Sequence, residues 1–178
     1  MPRTTAPSSI PSTAEPSSVP EGECQAVCVD PARLHEAWPP VAPLIRRAVE
    51  RGGLGDAGQL ERDLHNGSAL LWLAWDPRSA TEPGGTRIEA AAVTQLDAAN
   101  GRKFCTIAAC GGRGLKRWRA LIGALERFAR EEGCTSMRIY GRRGWARVLP
   151  DYRLHSIVLE KELDPWAAVH DRPSRPGR

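Results

Sequence analysis

The chain has 178 residues, of which 41% are hydrophobic, and a formal net charge of +4. This length is typical of one domain with short additional ends, and it suffices for a substantial core. No apolar run approaches the roughly 18 residues needed to span a bilayer, and the N-terminus lacks the apolar stretch of a secretory signal peptide. We therefore expect a cytoplasmic protein.

The cysteines and histidines predict no metal site. Cys24 and Cys28 are spaced CxxxC with no matching Cys/His pair nearby, and the four histidines are scattered along the chain. A structural zinc site needs two close pairs of ligands. The other three cysteines lie in apolar stretches, which is typical of small core residues.

The charge is unevenly distributed. Residues 1–99 contain 8 Lys/Arg and 13 Asp/Glu, a balance of −5, whereas residues 100–153 contain 13 and 4, a balance of +9. A segment this basic is expected to face an anion.

Both ends of the chain are predicted to be disordered. Residues 1–22 and 167–178 are rich in Ser, Pro and charged residues, and they offer little apolar surface to offset the entropy of ordering. This leaves a single domain at residues 23–166.

The first half of that domain predicts one strand and then helices. A short strand is expected over residues 24–29. Asp30 before Pro31 is an N-cap followed by proline at the first helical position, and Pro39-Pro40 is expected to interrupt this helix. A second helix follows over residues 41–51, and Asp56 is expected to cap a third helix that ends at Asn66-Gly67.

Three strands follow as an antiparallel meander. The apolar run at residues 68–75 has the length of a buried strand. A loop at residues 76–86 rich in Pro and Gly leads to a return strand at 87–96. A turn centred on Asn100-Gly101 then leads to a strand at 103–110.

The last part of the domain predicts a glycine-rich turn at residues 111–114 and a long amphipathic helix at 115–132, ended by Gly133. A strand at 136–140, a short helix at 144–149 and a closing strand at 152–163 complete the pattern.

The turn before the long helix is the strongest candidate for a binding site. Backbone N–H groups in the first turn of a helix have no internal partner, and glycines let a phosphate approach them closely. Arg113, Lys116 and Arg117 add positive charge. A pyrophosphate site and a plain tight turn are both compatible with this spacing. The chain has neither a GxxxxGK[ST] motif nor a GxGxxG motif followed by an acidic residue about 20 positions on.

With these elements in this order, the chain resembles the GNAT superfamily of acyl-CoA N-acyltransferases from about Val29 to Leu163. The resemblance implies an α+β fold, with a mixed, mainly antiparallel sheet flanked by helices. It also implies acetyl-CoA as co-substrate and no metal. By position, the residues that would hold the cofactor are Cys110, Gly111, Gly112, Arg113, Gly114, Lys116 and Arg117.

The sequence departs from the family pattern at the catalytic positions. Many members have a tyrosine that acts as general acid in or just after the short helix, but Leu149-Pro150 occupies that position here. Tyr152 and Glu89 are therefore the candidates for general acid and general base. Glu89 alternates with apolar neighbours, which is more typical of a solvent-facing strand residue than of a general base.

Two functions of different classes remain open. One is an N-acyltransferase with an unknown acceptor. The other is a non-catalytic GNAT-like protein, similar to those encoded in bacteriophage or prophage regions, that contacts nucleic acid or a virion protein through residues 100–153. Trp145 among arginines fits stacking on a base or a solvated basic face. Steep salt dependence of binding would favour nucleic acid.

Overall fold

The computed structural model describes residues 24–52, 55–76, 88–141, 144–156, 158, 159 and 161, without the side chains of residues 115–117. The chain divides into two compact units, residues 1–142 and 143–178. The predicted disordered ends and most of the predicted 76–86 loop lie outside the described residues, so these and the bounds of the domain stay predictions. None of the described helices has the length and apolar character needed to cross a membrane.

The first unit is built on a five-stranded sheet in the order β1-β2-β3-β4-β5. The strands are β1 (Gln25–Cys28), β2 (Ala69–Trp75), β3 (Ile88–Ala99), β4 (Arg102–Gly112) and β5 (Ser136–Ile139). The pairs β1–β2, β2–β3 and β3–β4 are antiparallel, and β4–β5 is parallel. The predicted α+β class and the meander are confirmed.

The first long helix is continuous, contrary to the sequence prediction. A single turn of 3₁₀ helix at Pro31–Arg33, capped by Asp30, leads into α1 (Leu34–Gly52), which contains Pro39, Pro40 and Pro43. These three prolines lie on the exposed side of α1, where water can hydrogen-bond the carbonyls that lose their N–H partners. Burial of the opposite side of the helix stabilises it across the prolines.

The helices α1 and α2 (Ala57–His65) cover one face of the sheet. The Asp56 carboxylate accepts a hydrogen bond of 2.6 Å from the Gln59 amide, as an N-cap does. The core on this face joins the apolar stripes of both helices to alternate residues of the strands, among them Ile45, Leu60, Leu64, Leu71 and Val93. The predicted cap and end of α2 are confirmed.

The helix α3 (Leu115–Glu131) packs against β1 and β2 on the other face. Leu121 and Leu125 are fully buried. The Trp72 ring meets Phe128 edge-on with centroids 5.0 Å apart. Gly133, at φ +72°, ends the helix as predicted, and the Cys134 amide bonds the Ala129 carbonyl at 2.8 Å.

The second unit contains α4 (Trp145–Val148), close to the predicted short helix. The predicted closing strand at 152–163 is not found in its described residues, 152–156, 158, 159 and 161, which have no regular structure. Leu154, Val158 and Leu159 are exposed there. An alternating apolar pattern forms a strand only beside a paired neighbour, because the backbone groups of a lone strand have no partners.

The strands β3 and β4 extend further than predicted. The prediction ended the first at residue 96 and began the second at 103, but the ladder continues to Ala99 and Arg102. Asn100 and Gly101 form a two-residue loop, with φ of 54° and 72°. Positive φ at both positions matches the twist of the two strands, so the hairpin closes tightly.

We expect Gly101→Ala to destabilise the protein by about 1 kcal/mol, because a Cβ is strained at positive φ. Gly52→Ala is the matched control, since a Cβ there meets nothing within 4 Å and its φ is not in the left-handed region. Urea unfolding of both variants measures the difference. Equal stabilities would contradict the strained turn.

Candidate functional site

The strand β4 contains an extra residue. Val93 pairs with Ala109 and the next residue of β3, Thr94, pairs with Ile107, so Ala108 has no opposite residue. This is a β-bulge, which bends the strand and increases its twist.

The pairing of β5 with β4 ends at this bulge. Their parallel pairing covers Phe104–Ile107 of β4, and a final hydrogen bond of 3.3 Å joins the Tyr140 amide to the Ile107 carbonyl. Within the described residues, β4 beyond Ile107 is paired with β3 alone. The last five residues of β4 therefore have one edge without a described neighbouring strand, and we call this edge, on the side of β5, the opening between β4 and β5.

Backbone groups of β4 face this opening. The Arg113 amide donates to the Glu89 carbonyl at 3.1 Å, so by antiparallel alternation Gly111 and Arg113 face β3. The N–H and C=O groups of Cys110 and Gly112 then point away from β3. Cys110 is half-buried, and burial raises the pKa of its thiol to about 12, so the thiol stays protonated at neutral pH.

Gly111 and Gly112 belong to the end of β4 and not to a loop, which corrects the predicted turn at 111–114. A Cβ on Gly111 would lie 2.6 Å from the Leu44 carbonyl oxygen of α1, and a Cβ on Gly112 would lie 2.7 Å from the Glu89 carbonyl oxygen and would overlap the Ala90 Cβ. Both glycines therefore let other parts of the protein approach β4 closely. This structural role is separate from the predicted role in phosphate binding, which stays a prediction.

The connection to α3 is consequently only two residues long. Arg113 is exposed, and Gly114 is the N-cap in the left-handed region, at φ 62° and ψ 65°, with no side-chain capping bond. The first amides of α3 therefore have no capping side chain and carry the positive end of the helix dipole. Lys116 and Arg117 are in this first turn, and their side chains lie outside the described part of the chain.

The two predicted catalytic residues lie in different units. Glu89 is half-buried near the start of β3, and its carbonyl accepts a hydrogen bond from the amide of Arg113, the residue after β4. Tyr152 belongs to the second unit, where its amide bonds the Leu149 carbonyl at 3.0 Å. Their catalytic roles stay predictions.

The sequence analysis missed Tyr140. This residue follows β5 directly, its amide makes the last bond before the opening, and it is 56% exposed. In the sequence Tyr140 is one more residue of an alternating strand. Only the pairing of β4 with β5 shows that it lies next to the opening.

Solved structures share this architecture. An acetyltransferase from Trypanosoma brucei is 16% identical, with a TM-score of 0.54, and the match covers 79% of this chain and 100% of that one. A GNAT family acetyltransferase from Staphylococcus aureus is 11% identical, with a TM-score of 0.53 and coverage of 79% and 99%. The chain therefore has the fold of the GNAT acetyltransferases.

A third similar structure is an aminoglycoside acetyltransferase from an uncultured soil metagenomic sample, in complex with sisomicin. It is 12% identical, with a TM-score of 0.53, and the match covers 79% of this chain and 96% of that one. No protein-family model and no curated protein matches the chain. At these identities the likeness concerns the fold alone.

We expect Gly111→Ala to lower the free energy of unfolding by about 2–3 kcal/mol, because the new methyl group meets the rigid backbone of α1. Gly123→Ala, within α3, is the control. Its Cβ would approach only the end of Arg127, at 3.9 Å, and alanine favours the helix. Chemical denaturation compares the two, and a neutral Gly111→Ala would contradict the close approach of α1.

Proposed function

We propose that the protein is an acyl-CoA-dependent N-acyltransferase whose acyl-CoA enters the opening between β4 and β5. The end of the β4–β5 pairing at the Ala108 bulge, just before the N-terminus of α3, is the observation that carries this proposal. The similarity to acetyltransferase structures supports it.

The residues at the opening fit an acyl-CoA. The pantetheine arm is extended and contains amide groups, so it can bond the N–H and C=O groups of Cys110 and Gly112 much as a further strand would. The uncapped start of α3 suits the pyrophosphate, because its amides and the helix dipole favour an anion. Exposed Arg113 adds a charge beside it.

The bound acyl-CoA would supply an activated acyl group as a thioester. The amine acceptor forms a bond to the acyl carbon while the carbon–sulfur bond breaks, and the departing sulfur takes up a proton. Tyr140 is our candidate donor of that proton. Its amide makes the backbone hydrogen bond to Ile107 of β4 that lies next to the opening. Glu89 stays the predicted base that accepts the proton of the amine.

We expect calorimetric titration with acetyl-CoA to show binding that Arg113→Glu weakens by roughly tenfold or more, about 1.4 kcal/mol, because a carboxylate would then face the pyrophosphate. Arg102→Glu, an exposed residue at the opposite end of β4, is the matched control and should bind like the wild type. Absence of binding to the wild-type protein would refute the proposal, and equal weakening by both variants would place the anion elsewhere.

We expect Tyr140→Phe to lower the rate of acyl transfer, measured as release of free CoA with a panel of primary amines, by roughly a hundredfold. Tyr152→Phe should retain nearly full activity. These are the two tyrosines of the chain, so the comparison is complete. If Tyr152→Phe produces the loss, the residue predicted from sequence is the acid and our assignment of Tyr140 is wrong.

The alternative is a basic surface for nucleic acid or a virion protein, and it is to be weighed on the described cations of residues 100–153. Several of its cations have partners within the protein: Lys103 lies 3.0 Å from Glu132, Arg130 lies 3.6 Å from Glu126, and the Arg138 guanidinium lies 3.5 Å from the centre of the Phe104 ring. The basic charge of residues 100–153 is therefore partly used within the first unit.

A further inference from the structure

Among the described strands, β1 lies at the edge of the sheet that is farthest from the opening between β4 and β5. A groove of about 340 Å³ runs between this strand and α3. The residues that line it are Cys24, Gln25, Ala26, Val27, Ala120 and Arg127. An exposed strand edge can bind a further strand, which adds to the sheet through backbone hydrogen bonds.

Backbone groups of β1 are directed to this edge. The Val29 amide bonds the Leu71 carbonyl of β2 at 2.8 Å, so in this antiparallel pair Val27 also faces β2. The N–H and C=O groups of Ala26 and Cys28 therefore point to the free edge.

Asp30 continues this pattern for one more residue. Its backbone is extended, at φ −58° and ψ 128°, so its N–H also points to the free edge. Its carbonyl accepts the Arg33 amide at 2.8 Å, which begins the helical turn after β1. The edge that can pair therefore ends at Asp30, since the next residue is Pro31, which has no N–H.

The side chains of Ala26, Cys28 and Asp30 alternate along the strand and share one face. This is the face covered by α3, because Cys28 is paired with Trp72, whose ring contacts Phe128 of α3. Both Cys28 and Asp30 are exposed. A second strand added to this edge would thus meet a thiol and a carboxylate beside α3.

The edge also carries complementary charges. Arg127 of α3 lines the groove together with Ala26, is exposed, and makes no ion pair with any residue in the described part of the chain. The Asp30 carboxylate uses one oxygen to accept the Ala32 amide at 2.9 Å, and its second oxygen accepts no hydrogen bond from a described residue. One edge therefore has an available cation at one end and an available carboxylate oxygen at the other.

We propose that β1 pairs in antiparallel orientation with β1 of a second copy of this chain, with Cys28 on the two-fold axis. Cys28 then lies opposite Cys28 of the second copy, and Ala26 lies opposite Asp30. The amides of Cys28 and Asp30 donate to the carbonyls of Cys28 and Ala26 in the other copy. Because a two-fold contact uses the same surface twice, each of these contacts is made on both sides of the axis.

Charge complementarity selects this register. Asp30 of the second copy stands opposite Ala26, on the α3 face, so its carboxylate is brought to Arg127, which lines the groove beside Ala26. A shift that placed Ala26 opposite itself would instead bring the two Arg127 side chains together at the axis. Like charges held together oppose association, whereas opposite charges fix the register.

The same register covers an exposed apolar side chain on the other face. Val27 is 47% exposed, and it lies opposite Val29 of the second copy. The groups of both residues face β2, so this is a pair without hydrogen bonds between its members, in which the side chains are closest. Val29 packs against the core and gives Val27 an ordered apolar surface. Pairs of β-branched residues in this position stabilise antiparallel strands.

This inference is independent of acyl transfer, and sedimentation velocity of the full chain over a series of concentrations tests the association. We expect a monomer–dimer equilibrium whose dissociation constant rises roughly tenfold or more in Arg127→Glu, because a carboxylate would then face Asp30. Arg119→Glu changes another exposed residue of α3, outside the groove, and should associate like the wild type. A chain that stays monomeric up to its solubility limit, or equal effects of the two variants, would overturn the proposal.

Oxidative cross-linking tests the register. Opposite residues of a hydrogen-bonded antiparallel pair have Cα atoms about 5.5 Å apart, within the range of a disulfide. With diamide as the oxidant, the two Cys28 thiols form a disulfide and their two hydrogens pass to diamide. We expect a covalent dimer that Cys28→Ser abolishes. Ala26→Cys added to Cys28→Ser should not restore it, because that thiol would face Asp30. Cross-linking through Ala26→Cys, or none through Cys28, would refute this register.

Amide-resolved hydrogen exchange identifies the interface without any substitution. The Cys28 and Asp30 amides should become more protected as the protein concentration rises, because only the second copy binds them. The Val27 amide, which bonds β2, should be protected at every concentration and shows that the domain is folded. Protection of Cys28 that does not depend on concentration would overturn the proposal, since another part of the same chain would then cover the edge.

Discussion

The extra residue in β4 is the constraint on which the proposed site depends. A parallel neighbour can follow β4 only while the ladder of backbone hydrogen bonds stays regular, and at Ala108 it does not. The pairing with β5 ends at Ile107, and the backbone groups of Cys110 and Gly112 at the end of β4 point away from β3. An opening lined by a strand backbone is suited to an extended ligand that contains amide groups. Because backbone groups would make the hydrogen bonds, such binding requires few particular side chains.

The end of β4 is held rigidly because α1 and β3 approach it more closely than a side chain would permit. Gly111 lies against the Leu44 carbonyl and Gly112 against Glu89 and Ala90. The same contacts fix the place where α3 begins, since only Arg113 and Gly114 connect the strand to the helix. The N-terminal end of the helix and the opening are therefore positioned together, and the glycines would serve the proposed site through packing.

Much of the fold follows from local signals in the sequence. Asp56 and Asn66 mark the two ends of α2, Gly133 ends α3, and Asn100-Gly101 closes the β3–β4 hairpin. These features could be predicted because each residue acts on the backbone within a few positions of itself. The failures involve tertiary context. Burial of one side of α1 outweighs Pro39-Pro40, and the pattern at 152–163 predicts a strand without showing whether a paired neighbour exists. The sequence around Ala108 contains no residue that predicts a bulge. The position of Tyr140 depends on where the pairing of β5 with β4 ends.

The most direct test is an amide-resolved NMR titration of the labelled protein with acetyl-CoA. The account predicts that the amides of residues 108–114 and the first turn of α3 shift in a saturable manner, together with that of Tyr140. The amides of residues 104–107, which stay paired with β5, should change little. Shifts confined to other parts of the protein, or none at a saturating concentration of the ligand, would contradict the claim that the opening between β4 and β5 receives acyl-CoA.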